Sequence, residues 1–211
     1  MINTEVCMMR KLLFSVVILS MILSACNSSG VEVMSRYGNE INDFEVTDEN
    51  SKTFTREDME GKVWILDFIF TNCATVCPPM TSNMTQVVNE LEDRGIEDYG
   101  VLSFTVDPET DTPEVLTDYL SQYDVPEGTE WKLLNGYDYD FIRHFAEKNF
   151  KTIVAPPPEG SNQVTHGISF YLIDQNGKIL KDYSGVDTGD TSFQLEEIVS
   201  DVETVVEEGP Q

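Results

Sequence analysis

The fold of this chain is set by the stretch Val63-Trp64-Ile65-Leu66-Asp67-Phe68-Ile69-Phe70 and by the segment after it, Thr71-Asn72-Cys73-Ala74-Thr75-Val76-Cys77-Pro78-Pro79. The first stretch is apolar at every position except Asp67, which indicates a strand buried on both faces in the middle of a sheet. The second stretch is a loop that carries two cysteines. Because sites in open α/β sheets collect at the carboxyl ends of strands, this loop is a candidate functional site.

Strand and helix patterns alternate on both sides of this stretch. A hairpin is expected before it and an Asn-Gly hairpin near the end of the chain. The expected elements are a hairpin over 41–55, helices over 80–95, 112–123, 138–150 and 192–206, and strands over 101–106, 131–134, 168–173 and 178–183. This order predicts an α/β fold: a central sheet flanked by helices, with an N-terminal hairpin and a C-terminal antiparallel hairpin.

The charge of the chain limits its partners. Among 211 residues there are 13 Lys and Arg against 38 Asp and Glu, a net charge of -25. The length suits one globular domain. A chain this acidic is repelled by phosphate backbones and by anionic lipid headgroups, so we exclude nucleic acid as a partner. Attachment to a membrane would need something other than surface charge.

The N-terminus carries a candidate membrane anchor. Arg10 and Lys11 precede an apolar run over 12–23, which is too short to span a membrane but fits the core of a signal peptide. The run ends in Leu23-Ser24-Ala25-Cys26, which resembles a bacterial lipobox, although an ordinary cleavage site with a chance cysteine is the alternative. We expect acylation of Cys26 and a lipid anchor on the extracytoplasmic face of the cell membrane.

The expected organisation follows from that leader. Residues 1–25 form the lipoprotein signal peptide, 26–40 a tether, 41–206 a single domain and 207–211 a C-terminal tail.

Two cysteines then remain for chemistry, Cys73 and Cys77. Their spacing places both sulfurs on one face of a helical turn, close enough for a reversible disulfide. A helix start also lowers the pKa of a thiol and favours the thiolate. The alternative is a plain structural disulfide, but a loop of so few residues constrains the unfolded chain little. A redox-active pair is the better interpretation.

Two thiolates suit a soft metal such as Cu(I) or Zn, and a third ligand would complete the site. His144 lies within a helix pattern and is expected on the helix surface. His166 ends an irregular loop before the strand over 168–173, a position that suits a ligand and an ordinary loop residue equally. Met80 and Met84 are soft thioethers, but their helical spacing assigns them to the core.

Three motifs together resemble the Sco (SenC) family. They are Thr71-Asn72-Cys73-Ala74-Thr75-Val76-Cys77-Pro78, then Val106-Asp107-Pro108-Glu109-Thr110-Asp111-Thr112-Pro113, then Thr165-His166 leading to Tyr171-Leu172-Ile173-Asp174. The resemblance covers about residues 40–205 with the motifs in order. One departure is the Ala-Thr-Val step between the cysteines, where the family often has Pro-Asp.

The resemblance implies a thioredoxin-like fold and copper, as Cu(I) or Cu(II), bound through Cys73, Cys77 and His166. It implies a role in building the binuclear copper centre of cytochrome c oxidase, with the copper-centre subunit of the oxidase as partner. A copper donor and a thiol–disulfide reductant are further implied partners. Asp107 matches an acidic residue implicated in the site, although it also suits a turn before proline.

The residues leave two functions open. The first is a copper chaperone. The second is a thiol–disulfide oxidoreductase that keeps the copper-ligand cysteines of the oxidase reduced, a reaction that makes no demand on His166. A peroxidase on the same fold is set aside, because the chain lacks the Pro-x-x-x-Thr-x-x-Cys pattern before either Cys73 or Cys77.

Overall fold

The computed structural model describes residues 30–161 and 163–211. The predicted signal peptide and the acylation site Cys26 lie outside the described residues, so both stay predictions. Among the described helices, none is both long and apolar enough to cross a lipid bilayer.

The centre of the molecule is a five-stranded sheet in the order β5-β4-β3-β6-β7. Its strands are β3 (Val63–Ile69), β4 (Tyr99–Thr105), β5 (Trp131–Leu134), β6 (Ser169–Ile173) and β7 (Ile179–Ser184). Strands β3, β4 and β5 are parallel, whereas β6 runs antiparallel to β3 and β7 antiparallel to β6. Every residue of β3 is buried, as predicted for the middle strand.

The described part of the chain also contains a separate antiparallel hairpin and four α-helices. The hairpin consists of β1 (Glu45–Thr47) and β2 (Thr53–Thr55). The helices are α1 (Cys77–Asp93), α2 (Pro113–Leu120), α3 (Tyr139–Phe145) and α4 (Leu195–Glu208). This confirms the predicted α/β architecture with an N-terminal hairpin and a C-terminal antiparallel hairpin.

The two faces of β3 enter two separate hydrophobic layers. Ile65 and Ile69 pack with Met80 and Met84 of α1 and with the apolar residues of α4. Residues on the other face, such as Phe68, lie in a cluster rich in aromatic side chains. Met80 and Met84 have no exposed surface, which confirms their assignment to the core.

Several predicted boundaries are wrong by a few residues. Helix α1 begins at Cys77 rather than at Met80, because prolines are tolerated in the first turn of a helix, where their missing N–H groups have no partner. Helix α2 ends at Leu120 instead of Tyr123. Helix α3 ends at Phe145, and a π-helical turn continues it to Phe150.

The N-terminal end of the domain also differs from expectation. The N–H of Met34 donates to Leu180 O at 2.9 Å and that of Gly38 to Ile179 O at 3.0 Å, so this segment runs along β7. Val31 is buried. The packed part of the chain therefore begins before the predicted start at residue 41.

Candidate metal centre

The two cysteines lie in different secondary structure after the carboxyl end of β3. Cys73 lies in the loop, whereas Cys77 is the first residue of α1. The prediction that one helical turn spans both residues is therefore wrong, although both sulfurs still lie close together. The N–H of Cys77 donates to Cys73 Sγ at 3.3 Å, because the first N–H groups of a helix have no partner within the helix. Both are free thiols and both are buried.

His166 meets this pair from the loop that precedes β6. Its Nε2 lies 3.3 Å from Cys77 Sγ, and its Nδ1 lies 2.7 Å from the carbonyl oxygen of Gly167. Because a carbonyl oxygen can only accept, Nδ1 carries a proton and donates it to Gly167, and Nε2 faces the sulfurs. The ring of Phe70 contacts the imidazole edge-on, with centroids 5.6 Å apart. The imidazole is thus oriented with Nε2, the nitrogen that can bind a metal, toward the two sulfurs.

Cys73, Cys77 and His166 together form a three-ligand cluster. Their candidate ligand atoms all lie within 4.8 Å of one another, and no second group of this kind occurs within residues 30–161 and 163–211. Two thiolates and one imidazole suit copper, since thiolates favour Cu(I) and imidazole suits either oxidation state. The structure brings together the three residues that the resemblance named as ligands.

The two thiols differ in acidity. Burial raises the pKa of Cys73, but hydrogen bonds from His166 and from backbone N–H groups outweigh it and lower the pKa from 9.0 to about 6. Burial raises the pKa of Cys77 far above its ordinary value, and the nearby charges of Cys73 and Asp67 add to that rise. At neutral pH the pair therefore consists of one thiolate and one protonated thiol. The helix start was predicted to lower the pKa of a thiol. It lowers that of Cys73, which lies in the loop and accepts backbone hydrogen bonds, and not that of Cys77.

His144 lies away from this cluster. It is exposed on α3, where its Nδ1 lies 2.7 Å from Asp140 O and its Nε2 lies 3.1 Å from the guanidinium of Arg143. Its expected place on the helix surface is confirmed.

Two aspartates in the loop after β4 have distinct roles. The N–H of Asp107 donates to Thr105 Oγ1 at 3.0 Å and its carbonyl oxygen accepts from Thr110 and Asp111, which makes Asp107 a turn residue. Its predicted influence on the site stays a prediction. Asp111 is buried, and its carboxylate accepts from the N–H and hydroxyl of Thr71 and from the hydroxyl of Thr105. Asp111 therefore ties the start of the cysteine loop to β4.

Asp67 is a second acidic group that sequence reasoning did not assign. It is fully buried in β3, and neither carboxylate oxygen has a hydrogen-bond partner among the described residues. Burial raises its pKa to about 6, and the neighbouring hydroxyl of Ser103 and the charge of His166 oppose that rise. The sequence feature that could have identified Asp67 is its position as the one acidic residue in an otherwise apolar strand.

The match to known proteins is specific. The family model SCO1/SenC matches residues 34–206. The chain belongs to the SCO1/SenC family. Its structure resembles thioredoxin-like members of a group described as the Sco family of cytochrome c oxidase assembly proteins.

Three similar proteins illustrate the range of this family. The SCO1 protein homolog of Bacillus subtilis is 40% identical over 182 residues, which cover 86% of this chain and 91% of that protein. A SCO1/SenC family lipoprotein from Bacillus anthracis is 41% identical with a TM-score of 0.71, covering 78% of this chain and 93% of that one. Yeast Sco1 with copper bound is 28% identical with a TM-score of 0.62, covering 79% and 90%.

The asymmetry of the thiols predicts a pH profile for this family member. In the reduced, metal-free protein, the alkylation rate of Cys73 should rise with a midpoint near pH 6, because the thiolate is the nucleophile and the pKa is about 6. Timed iodoacetamide labelling, read by mass spectrometry of the Cys73 peptide, measures this rate. His166→Ala should move the midpoint upward and His144→Ala should not. A wild-type midpoint near 9.0, the ordinary thiol value, would contradict the assignment.

Proposed function

We propose that this chain binds copper as cargo through Cys73, Cys77 and His166 and delivers it to the binuclear copper centre of cytochrome c oxidase. The observation that supports this most is the three-ligand cluster, with all ligand atoms within 4.8 Å of one another. Membership of a family of cytochrome c oxidase assembly proteins and the copper-bound structure of yeast Sco1 support the same function.

The acidity of the ligands suits capture of the ion. Cys73 is a thiolate at neutral pH, so it can bind copper without first losing a proton. Cys77 holds its proton and would release it on binding, which makes the affinity rise with pH. The Nδ1–H of His166 donates to the Gly167 carbonyl oxygen, which leaves Nε2 as the nitrogen that would bind copper.

Delivery follows from the small number of ligands and from their redox chemistry. Three protein ligands leave room for an incoming thiol or imidazole of the oxidase subunit, so the ion can pass by exchange of ligands. Oxidation of Cys73 and Cys77 to a disulfide, with two electrons passing to an external thiol oxidant and the Cys77 proton to solvent, would remove both thiolates and favour release. This cycle requires a copper donor and a thiol–disulfide reductant as further partners.

The second candidate is a thiol–disulfide oxidoreductase that acts on the copper-ligand cysteines of the oxidase. The low pKa of Cys73, about 6, favours this reaction, because such a thiol is ionised at neutral pH and leaves readily from a mixed disulfide. The buried Cys77 would resolve that disulfide. Both functions use the same pair, and they differ in whether an imidazole must bind the metal.

A variant that lacks the imidazole of His166 distinguishes the copper chaperone from the thiol–disulfide oxidoreductase. His166→Ala should weaken Cu(II) binding at least about tenfold, on the order of 1.4 kcal/mol, because one of three protein ligands is lost. His144→Ala, which changes an exposed histidine, should bind copper as the wild type does. Titration of the reduced protein with Cu(II) under a competing chelator measures both.

Cells that lack the native copy provide the functional readout. With the chaperone function, His166→Ala fails to restore cytochrome c oxidase activity at limiting copper, and added copper restores part of it. Full restoration by His166→Ala at limiting copper would instead favour the oxidoreductase.

We also propose that Cys26 anchors the chain to the extracytoplasmic face of the cell membrane. The support is the lipobox Leu23-Ser24-Ala25-Cys26 and the naming of the Bacillus anthracis relative as a lipoprotein. An anchor would keep an acidic chaperone close to a membrane-bound target despite the repulsion of anionic lipids.

The anchor has a direct test. Cys26→Ala should move the protein from the membrane fraction to the soluble fraction, because no acyl chain can be attached. Cys7→Ala lies in the predicted leader and should leave the distribution unchanged. Immunoblots of fractions washed with high salt report the result, and membrane retention of Cys26→Ala would contradict the lipid anchor.

A further inference from the structure

Gln163 links the loop that carries His166 to the loop that carries Cys73. Its Nε2 donates to the carbonyl oxygen of Asn72 at 3.1 Å, and its Oε1 accepts from the N–H of Ala74 at 3.4 Å. One side chain thus makes hydrogen bonds to the backbone on both sides of Cys73. Gln163 also lies only three positions before His166 in the chain.

Apart from the 3.3 Å contact between His166 Nε2 and Cys77 Sγ, several hydrogen bonds of this region shape one loop or the other without joining the two. Ala155 and Thr165 exchange two backbone hydrogen bonds of 2.9 and 3.0 Å, and the N–H of Gln163 donates to Ser161 Oγ at 3.0 Å. These contacts stay within the loop that carries His166. On the other side, Asp111 holds the start of the cysteine loop at Thr71.

A histidine on a loop is a poor ligand unless that loop is held, because a metal site tolerates only about 0.5 Å of misplacement. A glutamine amide suits the task, since it donates and accepts at once without adding charge beside a thiolate. We propose that Gln163 is a positioning residue that fixes the loop of His166 against the backbone around Cys73 and so keeps the third ligand at binding distance. This inference rests on the proposed copper-binding function.

The link itself can be tested without metal. Gln163→Met keeps the length of the side chain and removes both hydrogen bonds. In the reduced, metal-free protein this variant should exchange the amide hydrogen of Ala74 about tenfold faster, because its acceptor is lost. Gln86→Met is the matched control, since Gln86 is an exposed glutamine whose side chain bonds within α1. Hydrogen exchange followed by NMR measures the rate, and an unchanged rate in Gln163→Met overturns the proposal.

The effect on the ligand is read from a double-mutant cycle. Gln163→Met should weaken Cu(II) binding about five- to tenfold, and Gln86→Met should not. In a His166→Ala background, Gln163→Met should cause no further loss, because the ligand that it positions is absent. Equal losses in both backgrounds would overturn the proposal, since Gln163 would then act on the cysteines alone.

The spectrum of the Cu(II) form provides an independent readout. Gln163→Met should weaken the imidazole nitrogen coupling in electron paramagnetic resonance while keeping the thiolate-to-copper absorption, and unchanged coupling overturns the proposal. If the wild type binds no copper at all, the proposed function fails. The exchange rate of Ala74 then still decides whether Gln163 holds the two loops together.

Discussion

Burial of β3 on both faces is the constraint on which the rest of the structure depends. Val63–Ile69 packs against α1 and α4 on one face and against an aromatic layer on the other, so the strand can neither slide nor tilt. A shift of one residue would exchange its two faces. The chain therefore leaves the sheet at a fixed point, and the cysteine loop begins there. The end of β3 therefore determines where the loop places Cys73 and Cys77.

The second layer of organisation is electrostatic. The N–H of Cys77 has no partner within the helix and donates to Cys73 Sγ, while Cys77 itself is enclosed by the core. Two chemically identical side chains thus acquire opposite shifts in pKa. His166 completes the arrangement, because its hydrogen bond to the Gly167 carbonyl orients the imidazole. The site combines one thiolate, one imidazole and one thiol that ionises on binding.

Much of this could be predicted from the sequence. The apolar run of β3, the two hairpins and the alternation of strands and helices gave the architecture, because burial imposes a visible pattern on residue types. The ligand cysteines were visible through their spacing, whereas His166 depended on the resemblance to a family, since spacing along the chain says nothing of a loop that returns from a distance.

The rest depends on contacts that leave no local pattern. The helix was expected to begin at Met80, because prolines are usually a sign of a loop, yet it begins at Cys77. Asp111 and Gln163 act through hydrogen bonds to residues 40 and 91 positions away, and no periodicity marks such partners. The opposite acidities of the cysteines follow from burial and from donors that only the folded chain brings together.

X-ray absorption at the copper edge of the reduced full chain, loaded with one equivalent of copper, identifies the atoms that bind the metal. We expect an inner shell of two sulfurs and one imidazole nitrogen from the protein, with one sulfur lost in Cys73→Ser and the imidazole scattering lost in His166→Ala. A shell of nitrogen and oxygen alone, or two sulfurs with imidazole scattering that survives in His166→Ala, would contradict it.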